Sequence, residues 1–507
     1  MSADRVRIRL EPLAVEVNVP SRTPLMAALS GHGIEFPCGG TGGCEGCGVR
    51  VLAGSLTISD ADRTAFSKEQ LNGGWRLACQ ARAPGGVAES LVLECQQWRM
   101  DVLTDSTGLA GAGKQGLGIA IDLGTTTIAA QIVDLATGNV LGVETALNPQ
   151  APFGSDVMSR IRAVLTNGED GGRTDLTLVA RAALGQMVAR LARGREGEVA
   201  EVFLVGNTVM HHLFCGCDLE PLSHVPFASP DLGVKSFRPQ DLGWTLAADC
   251  TVRFARCLGG FVGSDILAGI IATGMARSNE FIALVDLGTN GEIAIGNRDG
   301  VVCASTAAGP AFEAGSIRMG MRAATGAIAY VTQSGGKMTA TVIGDVEPRG
   351  ICGSGLVDAV AAGLQSGVIL ASGRIAGGSK VFPVAGPVVL YQADIRELQL
   401  AKAAIASGFK LLLRRVGAEA GELKSVRLGG AFGNYLQIGS ALRIGLLDVP
   451  RPVVHAGGNT ALRGAKMLML AAEEPSLPVI EHVSLAADPG FQDEFVNCMS
   501  FPEKDGA

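Results

Sequence analysis

Residues 118–133 read Gly118-Ile-Ala-Ile-Asp122-Leu-Gly-Thr-Thr-Thr-Ile-Ala-Ala-Gln-Ile-Val133, and residues 282–295 read Ile282-Ala-Leu-Val-Asp286-Leu-Gly-Thr-Asn-Gly-Glu-Ile-Ala-Ile295. Each is an apolar strand, an Asp-Leu-Gly-Thr turn and a second apolar strand. Each then meets another turn (Asp134 to Gly138; Asn297 to Gly300) and a third strand (140–144; 301–305). The aspartates lie 164 residues apart. An internal repeat has to be settled before a fold is assigned. This one predicts two similar α/β lobes facing each other.

The turn carries the chemistry. Glycine and hydroxyl residues between strands can aim amides and hydroxyls at phosphate oxygens, forming an anion nest. An aspartate at a strand end can hold Mg²⁺ directly or through water. The candidates are Asp122, Gly124, Thr125, Thr126 and Thr127 in the first copy, and Asp286, Gly288, Thr289, Asn290 and Gly291 in the second. One Asp-x-Gly-Thr alone reads equally as a plain hairpin turn; two copies in matching contexts predict a nucleotide cleft.

Further segments fit around it. Val426-Arg-Leu-Gly429-Gly430-Ala-Phe-Gly433-Asn434 is a strand end running into glycines before an apolar stretch. Gly353 and Ser354 open a helix whose free amides could take an anion, though ordinary capping explains them as well. Asn207 follows the strand 202–205 and is a candidate to orient an attacking water. His211 and His212 are adjacent and cannot share one helix face as ligands, so they read as structural. Cys215 and Cys217 also read as structural, having no second pair nearby. Glu313 lies in a loop after the second hairpin.

Toward the amino terminus, Val6, Ile8 and Leu10 alternate with arginines, and Leu13 to Val19 alternate again after Glu11-Pro12. This predicts a β-hairpin with one buried face. Thr23-Pro24 starts a short helix with Leu25, Met26 and Leu29 on its apolar side. Cys38, Cys44 and Cys47 follow at C-x5-C-x2-C with five glycines between the first and the last, and Cys79 stands 32 residues further on. Thiolates around iron need backbone wrapped tightly about the cluster, which glycine permits. Zinc competes, but structural zinc sites usually pair two short knuckles, and here one cysteine stands alone. Residues 101–115 are small, polar and glycine-rich, the composition of a flexible linker.

Composition limits the alternatives. The chain has 507 residues, 47% hydrophobic and 18% charged, enough for several cores. A formal net charge of −7 leaves no basic excess for nucleic acid. No apolar run reaches eighteen residues, so no membrane span is expected. The start lacks a signal-peptide core, and the expectation is a cytoplasmic protein. Twelve cysteines there are more naturally ligands and thiols than disulfides.

The first hundred residues resemble a 2Fe–2S ferredoxin of the plant and adrenodoxin type, which implies Cys38, Cys44, Cys47 and Cys79 as cluster ligands. The two hairpins and the later Gly-Gly loop resemble the ATP cleft of the actin, sugar kinase and heat-shock chaperone superfamily. That resemblance implies Mg-ATP between ribonuclease-H-like lobes, with Asp122, Asp286 and the two turns at the phosphates and Gly429 and Gly430 at the nucleoside. The expected fold is multidomain: an α+β, β-grasp ferredoxin-like domain (1–98), a flexible linker (99–115), and a duplicated α/β ribonuclease-H-like, actin-type ATPase fold. Its lobes span 116–280, with a middle insertion, and 281–474, followed by a tail (475–507).

Taken in order, these motifs together with Gly-Asn-Thr-Val-Met-His-His (206–212), Gly-Gly-Phe-Val-Gly-Ser-Asp (259–265), Gly-Pro-Ala-Phe-Glu (309–313) and Cys-Gly-Ser-Gly-Leu (352–356) resemble the ATP-dependent reductive activators of corrinoid proteins. The resemblance implies one-electron reduction of Co(II) to Co(I) in a corrinoid methyl-transfer protein, coupled to ATP hydrolysis. It also implies an external electron donor and a homodimer. In this picture nucleotide closes the cleft, the closed form grips the partner, and the tethered cluster delivers the electron. The alternatives are an activator of another low-potential metalloenzyme, a small-molecule kinase, and a non-enzymatic ATP-gated ferredoxin.

Overall fold

The computed structural model describes residues 5–11, 15–29, 42, 47–85, 90–94, 109, 113–154, 156–166, 169–288, 290–334, 337–433, 435–473 and 475–503. Cys38, Cys44 and Thr289 lie outside the described residues, as does most of the 99–115 segment.

The amino-terminal sheet has five strands in the order Val15–Pro20, Arg5–Glu11, Ser90–Glu94, Gly48–Ala53, Trp75–Leu77. Arg5–Glu11 pairs in parallel with Ser90–Glu94, and the other neighbours are antiparallel. Period two does the sorting. Val6, Ile8 and Leu10 are fully buried beside Leu25, Leu29, Val49 and Leu91, while Arg5, Arg7 and Arg9 face outward.

The duplication is physical. The first large sheet runs Lys235–Phe237, Thr251–Phe254, Val199–Val205, Leu117–Leu123, Thr127–Asp134, Val140–Leu147. The second runs Val454–Gly458, Leu423–Gly429, Phe281–Leu287, Gly291–Asn297, Gly300–Thr306, Ile480–His482. In both, three antiparallel strands are followed by two parallel ones laid beside the first. The aspartates occupy matching places: Asp122 pairs in parallel register with Val205, and Asp286 with Gly429.

Two helices cross where the lobes meet. Thr460–Leu470, from late in the chain, packs Ala461, Leu462, Ala465 and Met469 onto Ala120, Ala129 and Phe203 of the first sheet. Ser264–Ala272 packs Ile266 and Ile270 onto Ile282, Leu284 and Ala294 of the second. The crossing is tight, since a Cβ at Gly464 would fall 2.0 Å from the Ala268 oxygen. Only glycine allows that approach.

Two segments expected outside the lobes make contacts with them. Residues 475–503 pack with the second lobe, because Ile480–His482 pairs with Gly300–Thr306 and the helix Phe491–Asn497 follows it. Buried Lys402 and Gln399 donate to the Ser500 and Met499 oxygens, and Phe501 is buried. The linker is also anchored near its end. Leu109 packs on the core under Thr460–Leu470, and Lys114 Nζ donates to the Met469 oxygen over 2.8 Å. A lysine at a helix C-terminus meets orphan carbonyls and the negative end of the dipole.

Candidate nucleotide cleft and cluster site

The first Asp-Leu-Gly-Thr turn is braced from behind. The Gly124 oxygen accepts from Asn148 Nδ2 (2.8 Å), the Thr125 oxygen from Arg160 Nη2 (2.6 Å), and the Thr126 oxygen from the Asn148 amide (2.8 Å). In a trans peptide the C=O and the following N–H point opposite ways. Drawing these three carbonyls back turns the amides of Thr125, Thr126 and Thr127 the other way, as an anion nest requires. At Gly124 a Cβ would sit 2.5 Å from the Thr127 oxygen.

Asn207 and Arg160 hold this turn. Asn207 caps the helix Thr208–Cys215, its Oδ1 accepting from the Met210 amide at 3.0 Å, and its Nδ2 donates to Thr125 Oγ1 at 2.8 Å. Both ends of this buried carboxamide are engaged inside the protein. In this arrangement its Nδ2 holds the Thr125 side chain and its Oδ1 caps the helix. Arg160 is fully buried, and its guanidinium also donates to the Gly154 oxygen and Gln150 Oε1. Burial lowers its pKa to about 9, opposed by the charges of Asp156 and Glu313. Glu313, from the loop after the second hairpin, thus reaches the neighbourhood of the first-lobe turn.

Asp122, Asp265 and Asp286 lie within electrostatic reach of one another, and Glu292 within reach of the last two. Asp122, Asp265 and Asp286 are half-buried and Glu292 is buried. Burial raises Asp122 to about 7, with the Asp286 charge adding to the rise and the Asn459 hydrogen bond opposing it. Asp286 rises to about 6 through burial. Asp265 rises to about 8 through burial and the charges of Asp286 and Asp122. Glu292 is also raised, by burial and then by Asp265 and Asp286. Among the described residues no three His, Cys, Asp or Glu side chains are grouped closely enough to hold a metal ion by themselves, so a divalent cation here would draw its remaining ligands from phosphate and water.

The second turn and the glycine loop adjoin them. The Gly288 amide donates to the Asn290 oxygen over 3.1 Å, closing the hairpin. Gly430 has φ of +79°, and a Cβ there would lie 2.6 Å from Asp286 Oδ1; at Gly429 it would lie 3.2 Å from Asp286 Oδ2. The expected Gly-Gly loop therefore runs directly against the second aspartate.

Other candidates serve packing. Gly291 is buried, where a Cβ would meet Ile405 and Thr306 at 2.8 Å. Gly353 and Ser354 are buried under the Phe312 oxygen and the strand Ala327–Ser334, with Ser354 Oγ donating to the Ala329 oxygen. These backbones pack against the helix start. His211 and His212 are fully buried, bonded to the Gly233 oxygen and Ser229 Oγ, and their pKa values are lowered chiefly by burial.

Sequence reasoning did not single out Asn148, Arg160, Glu292 or Asn459 as site residues, and quoted Asp265 only within a motif. Asn459 carried a signal, an Asn just before an apolar helical run. Arg160 carried none, since its partners come from separate loops.

At the cluster site, Cys47 and Cys79 flank the paired strands Gly48–Ala53 and Trp75–Leu77, and the Ala78 amide donates to the Cys47 oxygen over 3.0 Å. Gln80 Nε2 lies 3.5 Å from Cys79 Sγ, the kind of donor a cluster thiolate accepts. Gly42, within the cysteine loop, has φ of +77°, and a Cβ there would lie 3.0 Å from Ala61 Cβ and 3.2 Å from the Gln80 side chain. Gly42 therefore lies against Gln80, the residue that follows Cys79. These residues fit a 2Fe–2S cluster.

Comparison with known proteins agrees with this geometry. Residues 8–84 match the family model for the 2Fe-2S iron-sulfur cluster binding domain, residues 117–278 that for the RACo middle region, and residues 280–507 that for the C-terminal domain of RACo, the ASKHA domain. Corrinoid activation enzyme RamQ of Eubacterium limosum is 34% identical over 412 residues, covering 75% of this chain and 69% of the relative. The [Co(II) methylated amine-specific corrinoid protein] reductase of Methanosarcina barkeri is 27% identical over 385 residues, 70% of each chain. A solved reductive activator for corrinoid, iron-sulfur protein superposes with a TM-score of 0.66 at 27% identity, covering 99% of both chains.

Proposed function

This chain belongs to the ATP-dependent reductive activators of corrinoid proteins, and from that premise we infer that it couples ATP hydrolysis to reduction of a corrinoid partner's Co(II) to Co(I). The observation that carries the reading is the union in one chain of residues that fit a ferredoxin cluster with two facing Asp-bearing hairpins.

When bound, the 2Fe–2S group supplies the single electron, with a potential near about −400 mV in plant-type domains. Each ~59 mV that the cobalt lies below this costs a factor of ten in equilibrium. Nucleotide lessens that cost only by favouring a state of the complex in which cobalt is easier to reduce. The chain's own residues provide that differential contact. Asp122 and Asp286 would hold Mg²⁺, which would offset the charge of the phosphates. The amides of Thr125, Thr126 and Thr127 receive phosphate oxygens from one side, and Gly288, Thr289 and Asn290 from the other. Gly429 and Gly430 bring backbone against the nucleoside. The helices Ser264–Ala272 and Thr460–Leu470, crossed at Gly464, are the pivot about which the lobes close.

An external low-potential donor refills the cluster, and a homodimer is the assembly this reading favours. A reducing compartment, the cytoplasm, suits a chain in which none of the nine described cysteines forms a disulfide. Among the described residues no helix is long and apolar enough to cross a membrane.

The test is spectroscopic. Reduced protein is mixed with a Co(II) corrinoid protein from the same cell, and Co(I) absorbance is followed with and without Mg-ATP. Co(I) formed only with Mg-ATP is expected. ATP turnover without Co(I), across several corrinoid partners, would point to a different reductive acceptor.

A further inference from the structure

Asn459 divides its carboxamide between two tasks. Its Oδ1 accepts the Leu462 amide over 2.8 Å, making it the N-cap of the helix Thr460–Leu470. Its Nδ2 donates to Asp122 Oδ2 over 3.1 Å, joining residues 337 apart in sequence. The orientation is fixed by the cap, because a backbone N–H has to meet the oxygen and leaves the nitrogen for Asp122. That helix packs on the first-lobe sheet and crosses Ser264–Ala272 at Gly464.

Asp122 otherwise faces acidic groups. Asp286 and Asp265 are within electrostatic reach, and Glu292 adjoins those two. Like charges drive a carboxylate to rotate away or neutralise. Asn459 is a neutral donor set on a rigid helix start, which suits it to hold the carboxylate without adding charge to the cleft.

We propose that Asn459 is a positioning residue for nucleotide hydrolysis: its Nδ2–H orients the Asp122 carboxylate and ties that orientation to the seating of the helix where the lobes meet. This rests on the reading of the cleft as a Mg-ATP site. Asn459 itself takes no part in the chemistry; it acts through Asp122.

The two tasks separate by substitution in the full-length holoprotein. Asn459→Ser keeps an oxygen for the cap and removes the donor. Asn459→Asp does the same and adds a repelling carboxylate, and Asn459→Ala removes both functions. Mg-ATP hydrolysis and the unfolding midpoint are measured for each, with Asp122→Asn alongside. Asn459→Ser is expected to keep the midpoint within about 2 °C and to lower kcat about tenfold with KM changed less than about threefold. Asn459→Asp is expected to lose more turnover at equal stability. Parental kcat in Asn459→Ser with Asp122→Asn inactive would overturn the positioning role alone. Loss of turnover only in step with the midpoint would overturn it too, leaving a cap. Parental turnover in Asp122→Asn would overturn the cleft reading and this proposal with it.

Discussion

Arg160 Nη2 donates to the main-chain oxygen of Thr125 over 2.6 Å from a site closed to solvent. One buried cation thus holds the back of the phosphate turn and places positive charge behind it. Its other bonds run to the Gly154 oxygen and Gln150 Oε1, so the fork ties the turn to the connection that precedes its own helix. Replacing Arg160 with Met would leave those acceptors unmet inside the protein, a cost of about 1–3 kcal/mol per orphaned group. The expected outcome is a clear fall in the unfolding midpoint and a rise in KM for ATP. Arg160→Lys keeps charge but loses the planar fork, and should recover part of the affinity and little of the stability.

Asn207 gives a milder test of the same turn. Asn207→Ala removes a helix cap and the bond to Thr125 Oγ1, and should cost about 1–2 kcal/mol. Asn207→Ser restores the cap without the Thr125 bond, so stability should largely return while ATP turnover stays reduced. Chemical denaturation and steady-state hydrolysis on the same preparations separate the two effects.

The acidic cleft predicts how stability depends on pH. Burial raises Asp286 to about 6, Asp122 to about 7 and Asp265 to about 8, whereas an unfolded Asp titrates near ~4. Between those values the folded chain holds protons that the unfolded chain has released. Stability from these groups is therefore greatest below the unfolded pKa and falls as pH rises through the folded values. Without Mg²⁺, Asp265→Asn should flatten this decline and raise the midpoint at alkaline pH relative to the parent, while losing ATP turnover. Unfolding curves across pH with and without Mg-ATP check this, with the nucleotide giving its largest stabilisation at the alkaline end.

Lys114 predicts an effect on the tether. Its Nζ bonds the Met469 oxygen at the end of the helix that Asn459 begins. Lys114→Met should release this end of the 99–115 segment and speed limited proteolysis there, with ATP hydrolysis by the lobes little changed. A cleavage time course followed by mass spectrometry is the measurement.

Cys79→Ser should abolish the visible absorbance of the cluster and ATP-dependent Co(I) formation while leaving Mg-ATP hydrolysis intact. Absorbance spectra and phosphate release on one preparation decide it.

Much of this protein was legible from local pattern. The alternation in Arg5–Glu11, the cysteine spacing and the repeated Asp-Leu-Gly-Thr hairpins each depend on a few consecutive residues, and backbone sterics and side-chain period translate them directly into strands and turns. The repeat disclosed two lobes because equal local patterns build equal sheets. Tertiary structure decided what spacing does not carry. It joined Asn207 to Thr125, buried Gly353 and Ser354, added Ile480–His482 to the second sheet, and put Asn148, Arg160 and Asn459 around the turns. Those outcomes depend on which distant groups meet once the apolar faces are buried. A polar side chain's role is set by the partner it finds there, since a buried donor or acceptor has to be satisfied by something, and the chain order does not say by what.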